Sequence, residues 1–174
     1  RKVYNPQWSR RGMWNQSYYE ARVPKVPTML LELLSHQNFA DMRYGLDPRF
    51  RFTVSRAIYK GMLQFLANQY KQDYVVQPLP VDHMSARFTK DTEVELTWQP
   101  VDDPLEPTAK AEQYIVYTRI GEGDFDNGML VNKNSYRTNI PSGVICSYKV
   151  TAVNKGGESF PSEILSVGKA IQTK

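Results

Sequence analysis

Two hydrophobic rhythms divide this chain. Val54, Ala57, Ile58, Gly61, Met62, Phe65, Leu66 and Tyr70 recur at helical spacing and predict one long amphipathic helix. Asp47 and Pro48 supply an N-cap and a first-turn proline, so the helix is expected to run from about residue 48 to Gln72. Further along, the period drops to two. Val94, Leu96 and Trp98 alternate with polar residues, as do Tyr114, Val116 and Thr118, and then Tyr148, Val150, Ala152 and Asn154. Turn signals at 121–124, 126–128, 141–143 and 155–157 separate these runs. Short alternating strands with regular turns predict an all-β sandwich.

A third pattern lies upstream. Residues 28–34 are apolar almost without interruption, as expected for a parallel strand covered on both faces. Pro24 and Pro27 punctuate its entrance. Residues 1–23 are rich in Trp, Tyr and Arg, with a helix expected around 14–22. The reading is therefore of two parts. Residues 1–74 form an α/β portion with one parallel-type strand plus helices, 75–79 a linker, and 80–174 a β-sandwich.

Composition narrows the function classes. The hydrophobic content of 41% and charged content of 23% suit a globular chain of 174 residues. No apolar stretch approaches the ~20 residues that span a bilayer, and no signal peptide is visible at the start. A chain beginning at Arg1 is expected to be a processed or excised piece. The single Cys146 excludes an internal disulfide. The net charge of +4 is uneven, because residues 1–77 carry 12 Lys/Arg and 5 Asp/Glu. That excess suits an anionic glycan surface, but basic runs never exceed two residues, so nucleic acid is not expected as a partner.

The second half resembles the fibronectin type III family. Val-Glu-Leu-Thr-Trp (94–98) is similar to its second strand and Gln-Tyr-Ile-Val-Tyr (113–117) to its third. The stretch 142–163, with Tyr-Lys-Val-Thr-Ala-Val-Asn and Gly-Glu-Ser-Phe-Pro-Ser, resembles its sixth strand, hairpin and the start of the last strand. The resemblance implies structural roles for Trp98, Tyr114 and Tyr148. Trp98 would fill the core, and Tyr148 would be a tyrosine-corner residue bonded to backbone. Such modules are spacers or binding surfaces. The acidic loop Asp102, Asp103 and Glu106 reads as solvated rather than as a calcium site.

Glu32 is the candidate that carries chemistry. A carboxylate within an apolar run costs free energy unless it is paired, hydrogen-bonded or bound to metal. Three readings stand: a cap or partner for Arg22 or Lys25, a metal ligand with His36, or a catalytic group at the carboxyl end of a parallel strand. The run Val-Pro-Thr-Met-Leu-Leu-Glu-Leu-Leu-Ser-His-Gln-Asn (26–38) and Arg-Ala-Ile-Tyr-Lys-Gly-Met (56–62) resemble the C-terminal part of zinc-dependent N-acetylmuramoyl-L-alanine amidases. Pro27, Glu32, Asn38, Ala57, Ile58 and Gly61 fall at matching positions. Leu34 departs where that family has Gly, and Ser35 and His36 depart beside it. The segment 35–42 looks closest to a Bacteroidetes-type branch of secreted proteins often labelled xanthan lyase.

The resemblance implies that Glu32 is a general base and that Asn38 supports the adjoining loop. It implies zinc in the intact protein, held by upstream ligands. This chain has only His36 and His83, so no metal is expected on this piece, which is expected to be inactive by itself. It further implies an extracytoplasmic location and a peptidoglycan or other envelope glycan as partner. The strand at 28–34 is expected to pair with a missing part of the domain or with a second copy. The rival reading is a non-catalytic carbohydrate- or protein-binding module, with Trp8, Trp14, Tyr18 and Tyr19 as sugar contacts or, failing that, packing residues.

Overall fold

The computed structural model describes residues 4, 8, 9 and 12–168. The chain forms two compact units, residues 1–54 and 55–174, and the boundary falls inside a helix.

In the first unit, α1 (Tyr19–Arg22) is a single turn and α2 (Phe39–Gly45) is short. The long helix α3 (Pro48–Tyr70) begins here. Its start is the expected one: the Asp47 carboxylate accepts a hydrogen bond from the Arg49 amide at 2.9 Å, and Pro48 is the first helical residue. An aromatic cluster organises this unit. Phe50 is buried, with Tyr4 edge-on to it at 4.9 Å and Trp8 edge-on to Tyr44 at 4.7 Å. The Tyr44 hydroxyl donates to the Tyr4 carbonyl at 2.7 Å.

One sequence expectation fails in this unit. Residues 28–34 form no strand and are mostly exposed. Met29, Leu30, Leu31 and Leu33 face solvent. The reason lies in what a strand is: its hydrogen bonds are made between segments, and among the described residues none supplies a pairing edge to 28–34. The α/β architecture expected for residues 1–74 is therefore present only as helices.

In the second unit, β1 (Asp82–Phe88), β2 (Glu93–Gln99) and β5 (Ser135–Asn139) form one antiparallel sheet in the order β1-β2-β5. β3 (Gln113–Ile120), β4 (Met129–Val131), β6 (Cys146–Asn154), β7 (Gly157–Glu158) and β8 (Leu165–Val167) form the other. There the order is β4-β3-β6-β7, with β8 also pairing β6. β3 and β6 form the longest ladder, running from Gln113 opposite Val153 to Ile120 opposite Cys146.

The alternation predicts the core correctly. Val94, Leu96, Trp98, Tyr114, Val116, Tyr148, Val150 and Ala152 are all buried in one cluster shared by the two sheets. On the outer face of the first sheet, Arg87, Glu95 and Arg137 lie opposite one another across three strands. Both arginines bond the Glu95 carboxylate, Arg137 Nε at 2.9 Å.

The stretch 75–79, expected as a linker, is packed. Val76 is 0% exposed and Pro78 is fully buried. The four backbone polar groups of Val76 and Gln77 are all paired. Val76 N–H donates to Thr108 Oγ1 at 3.1 Å, and its carbonyl accepts from Asn154 Nδ2 at 2.9 Å. Gln77 N–H donates to the Tyr59 hydroxyl at 3.4 Å, and its carbonyl accepts from Arg56 Nη2 at 3.1 Å. Burial requires this accounting, because an unpaired backbone group inside the protein costs about as much as a lost hydrogen bond.

Candidate functional site

Glu32 sits in the non-regular segment that follows the prolines. Its side chain is exposed, and among the described residues it makes no ion pair. The proposed partners Arg22 and Lys25 do not reach it in an ion pair. Residues 32–36 are not helical, so the spacing that would place Glu32 and His36 on one helical face is absent.

The loop after Glu32 is nevertheless built with care. The Asn38 side chain caps α2, its Oδ1 accepting from the Ala40 amide at 2.9 Å and the Asp41 amide at 3.3 Å. The Asp41 carboxylate accepts from the Ser35 amide at 2.9 Å and from the Trp8 indole N–H at 3.2 Å. Asp41 lies in the stretch that carries the family resemblance, but its bonds to Ser35 and Trp8 were not foreseen from the sequence. An Asn followed three residues later by an acidic side chain is a helix-start signal, and it marks α2 in the sequence.

Leu34 has a φ of 63°, in the left-handed region that favours glycine. Leucine thus occupies a glycine-type backbone there, a conformation that costs about 1–2 kcal/mol for a residue bearing a Cβ.

Among the described residues no three His, Cys, Asp or Glu side chains come together as a metal site. His83 is exposed and lies 3.5 Å from the Asp82 carboxylate, and His36 is exposed in the loop.

Of the proposed sugar-contacting aromatics, Trp8 belongs to the packed cluster. Trp14, Tyr18 and Tyr19 are exposed. In the sandwich, Trp98 packs edge-on to Tyr114 at 5.3 Å, with its indole N–H buried and lacking an acceptor. Tyr148 is buried beside Cys146, and burial, with that thiol second, pushes its hydroxyl well above the usual phenol range. The expected bond from its hydroxyl to backbone is not among the hydrogen bonds of the described residues.

The loop 102–106, read as solvated, carries the best-defined electrostatic site. The Asp103 carboxylate meets Arg56 Nε at 2.9 Å and Lys60 Nζ at 3.3 Å. It also accepts from the Leu105 amide at 3.1 Å. Burial pushes Asp103 up, but Arg56, the Leu105 amide and Lys60 outweigh it and hold the carboxyl below its ordinary value. Arg56 and Lys60 lie four residues apart on α3 and so share one helical face. The same arginine bonds Gln77, so one side chain ties the helix, the acidic loop and the 75–79 strap together.

No family model matches the chain. No curated protein matches it either. Solved structures do. The twitchin kinase region of C. elegans aligns with 55% of this chain at 20% identity and a TM-score of 0.48. The fourth FNIII domain of a human protein aligns with 56% at 19% identity and a TM-score of 0.48. Domains d3-d4 of the rat CD45 extracellular region align with 55% at 16% identity and a TM-score of 0.46. The alignments cover 17%, 84% and 51% of those chains respectively.

Proposed function

We propose that this chain is a non-catalytic scaffold or binding module whose β-sandwich anchors the C-terminal half of α3. The observation that carries this reading is the strap at 75–79, with every backbone group of Val76 and Gln77 paired and Arg56 bridging Gln77 and Asp103. A flexible tether has no use for such pairing, whereas an anchor requires it. Hydrogen exchange on the whole chain tests the idea. In Asp103→Ala, the amides of 56–70 and of Val76 and Gln77 exchange at least about tenfold faster, the factor expected from ~1.4 kcal/mol of lost local stability. Unchanged protection would leave the sandwich as a neighbour of the helix rather than its anchor.

A second reading draws on the capped loop beside Glu32. Glu32 acts as general base in hydrolysis of a muramyl-peptide amide, in a longer protein whose zinc ligands lie outside this chain. Asn38, by capping α2, supports the segment that holds Glu32. Supporting this reading are the match of Pro27, Glu32 and Asn38 to the amidase pattern and the glycine-type backbone at Leu34. It places the protein outside the cytoplasm with an envelope glycan as partner. In the longer protein, Glu32→Gln abolishes amide hydrolysis while zinc content stays unchanged. Normal turnover in that variant ends the general-base assignment.

A further inference from the structure

The outer face of the second sheet holds two cations that no carboxylate neutralises. Arg119 on β3 and Lys149 on β6 make no ion pair among the described residues. Their cover is aromatic instead. The Phe125 ring, from the β3–β4 connection, lies 5.0 Å from the Arg119 guanidinium and 4.4 Å from Lys149 Nζ. The Tyr117 ring lies 5.1 Å from Lys149 Nζ.

The two nearby carboxylates are engaged elsewhere. Glu158 accepts from the Tyr117 hydroxyl and from Thr151, each at 2.7 Å. That bond to Glu158, with burial second, pushes the Tyr117 phenol up to about 12. Asp126 Oδ1 accepts from the Thr118 and Gly128 amides, each at 3.0 Å. Arg119 Nη2 donates to Ser147 Oγ at 3.3 Å, and that oxygen is also bonded to Ser166 at 2.8 Å. Arg119 Nε is buried and has no acceptor.

We propose that Arg119 and Lys149 form a receptor for one carboxylate group, closed in this structure by the Phe125 ring. The chemistry is specific. The Nε–Nη2 edge of a guanidinium is a two-pronged donor that matches the two oxygens of a carboxylate. Nε lacks a partner, and Nη2 is held by a serine oxygen that keeps its bond to Ser166 when displaced. Lys149 adds a second charge on the same side. A buried N–H without an acceptor costs free energy, which an incoming carboxylate removes. Phe125 meanwhile shields both cations by cation–π contact, an interaction weaker than a charge-assisted hydrogen bond.

The test is an NMR titration of the whole chain with acetate, reading the Arg119 Nε–H resonance, with chloride at matched ionic strength as control. A saturable shift with acetate and none with chloride is expected. Phe125→Ala removes the cover and is expected to bind acetate about 5–30-fold tighter, the inverse of two exposed cation–π contacts. Phe125→Leu keeps apolar bulk but not the ring, and serves if the alanine variant unfolds. Lys149→Gln, at a half-buried position, is expected to weaken binding about tenfold. An equal response to chloride, or ring removal that leaves acetate affinity unchanged in a folded variant, overturns the proposal and makes the stack purely structural.

Discussion

Leu96 and Leu30 are the same side chain in opposite circumstances. Leu96 is 0% exposed between the two sheets, and Leu30 is 46% exposed in the segment after the prolines. Both sit in runs whose sequence demands burial. The difference is closure. Each sandwich strand finds its hydrogen-bonding neighbour and its facing sheet within this chain. Residues 28–34 carry the apolar composition of an interior strand, yet among the described residues they have no pairing edge. Hydrophobic pattern states what a segment needs, and only topology states whether the need is met.

The comparison can be broken by substitution, beginning with the largest effect. Trp98→Ala removes the biggest side chain of the core and is expected to cost about 3–5 kcal/mol in denaturant unfolding of the sandwich. A loss under ~1 kcal/mol would mean that Trp98 is not tightly packed between the sheets. Gly156→Ala follows. A Cβ at Gly156 would lie 2.3 Å from the Val75 carbonyl oxygen and 2.7 Å from the Val76 carbonyl carbon. Those are backbone atoms and cannot swing aside, so a loss of about 1–3 kcal/mol is expected. Wild-type stability in that variant would show that the strap can lift from the hairpin.

Acid provides the next measurement. Asp103 has a folded pKa below its unfolded value, so its contribution to stability is present above the ordinary aspartate range near ~3.9. That contribution is lost as pH falls through the depressed folded value. Unfolding followed from about pH 5 downward should show a declining stability that Asp103→Asn flattens. Equal slopes in the two proteins would remove Asp103 from the anchor. At the small end, Leu30→Ala is expected to change stability by no more than ~0.5 kcal/mol, against about 2–5 kcal/mol for Leu96→Ala. A large loss at Leu30 would show burial that the exposed segment does not display.

Much of the sandwich was legible in the sequence, because period-two alternation and turn residues are local signals. The core positions of β2, β3 and β6 follow directly from them, as does the start of α3 at Asp47 and Pro48. Other features escaped for physical reasons. The strand expected at 28–34 depends on a neighbour that a single segment cannot specify. The role of 75–79 depends on Thr108, Asn154, Tyr59 and Arg56, side chains far apart in sequence. The proline-containing composition of that stretch reads as a linker, since composition reports backbone stiffness and says nothing of burial. Asp103 looked solvated because its cations lie more than forty positions away. At the candidate site, the cap at Asn38 was within reach of sequence rules, whereas the left-handed backbone at Leu34 was not, since leucine gives no hint of positive φ.

The strap has one more consequence, for insertions and deletions. A joint in which the peptide groups of Val76 and Gln77 all have assigned partners has a fixed length. Adding or removing one residue between Tyr74 and Val81 would displace each donor and acceptor by ~3.3 Å, a full strand step, and carry the wrong groups past Thr108 and Asn154. Relatives of this chain should therefore rarely differ in length at 75–79. Where the joint does change length, Gly156 and Asn154 should change with it.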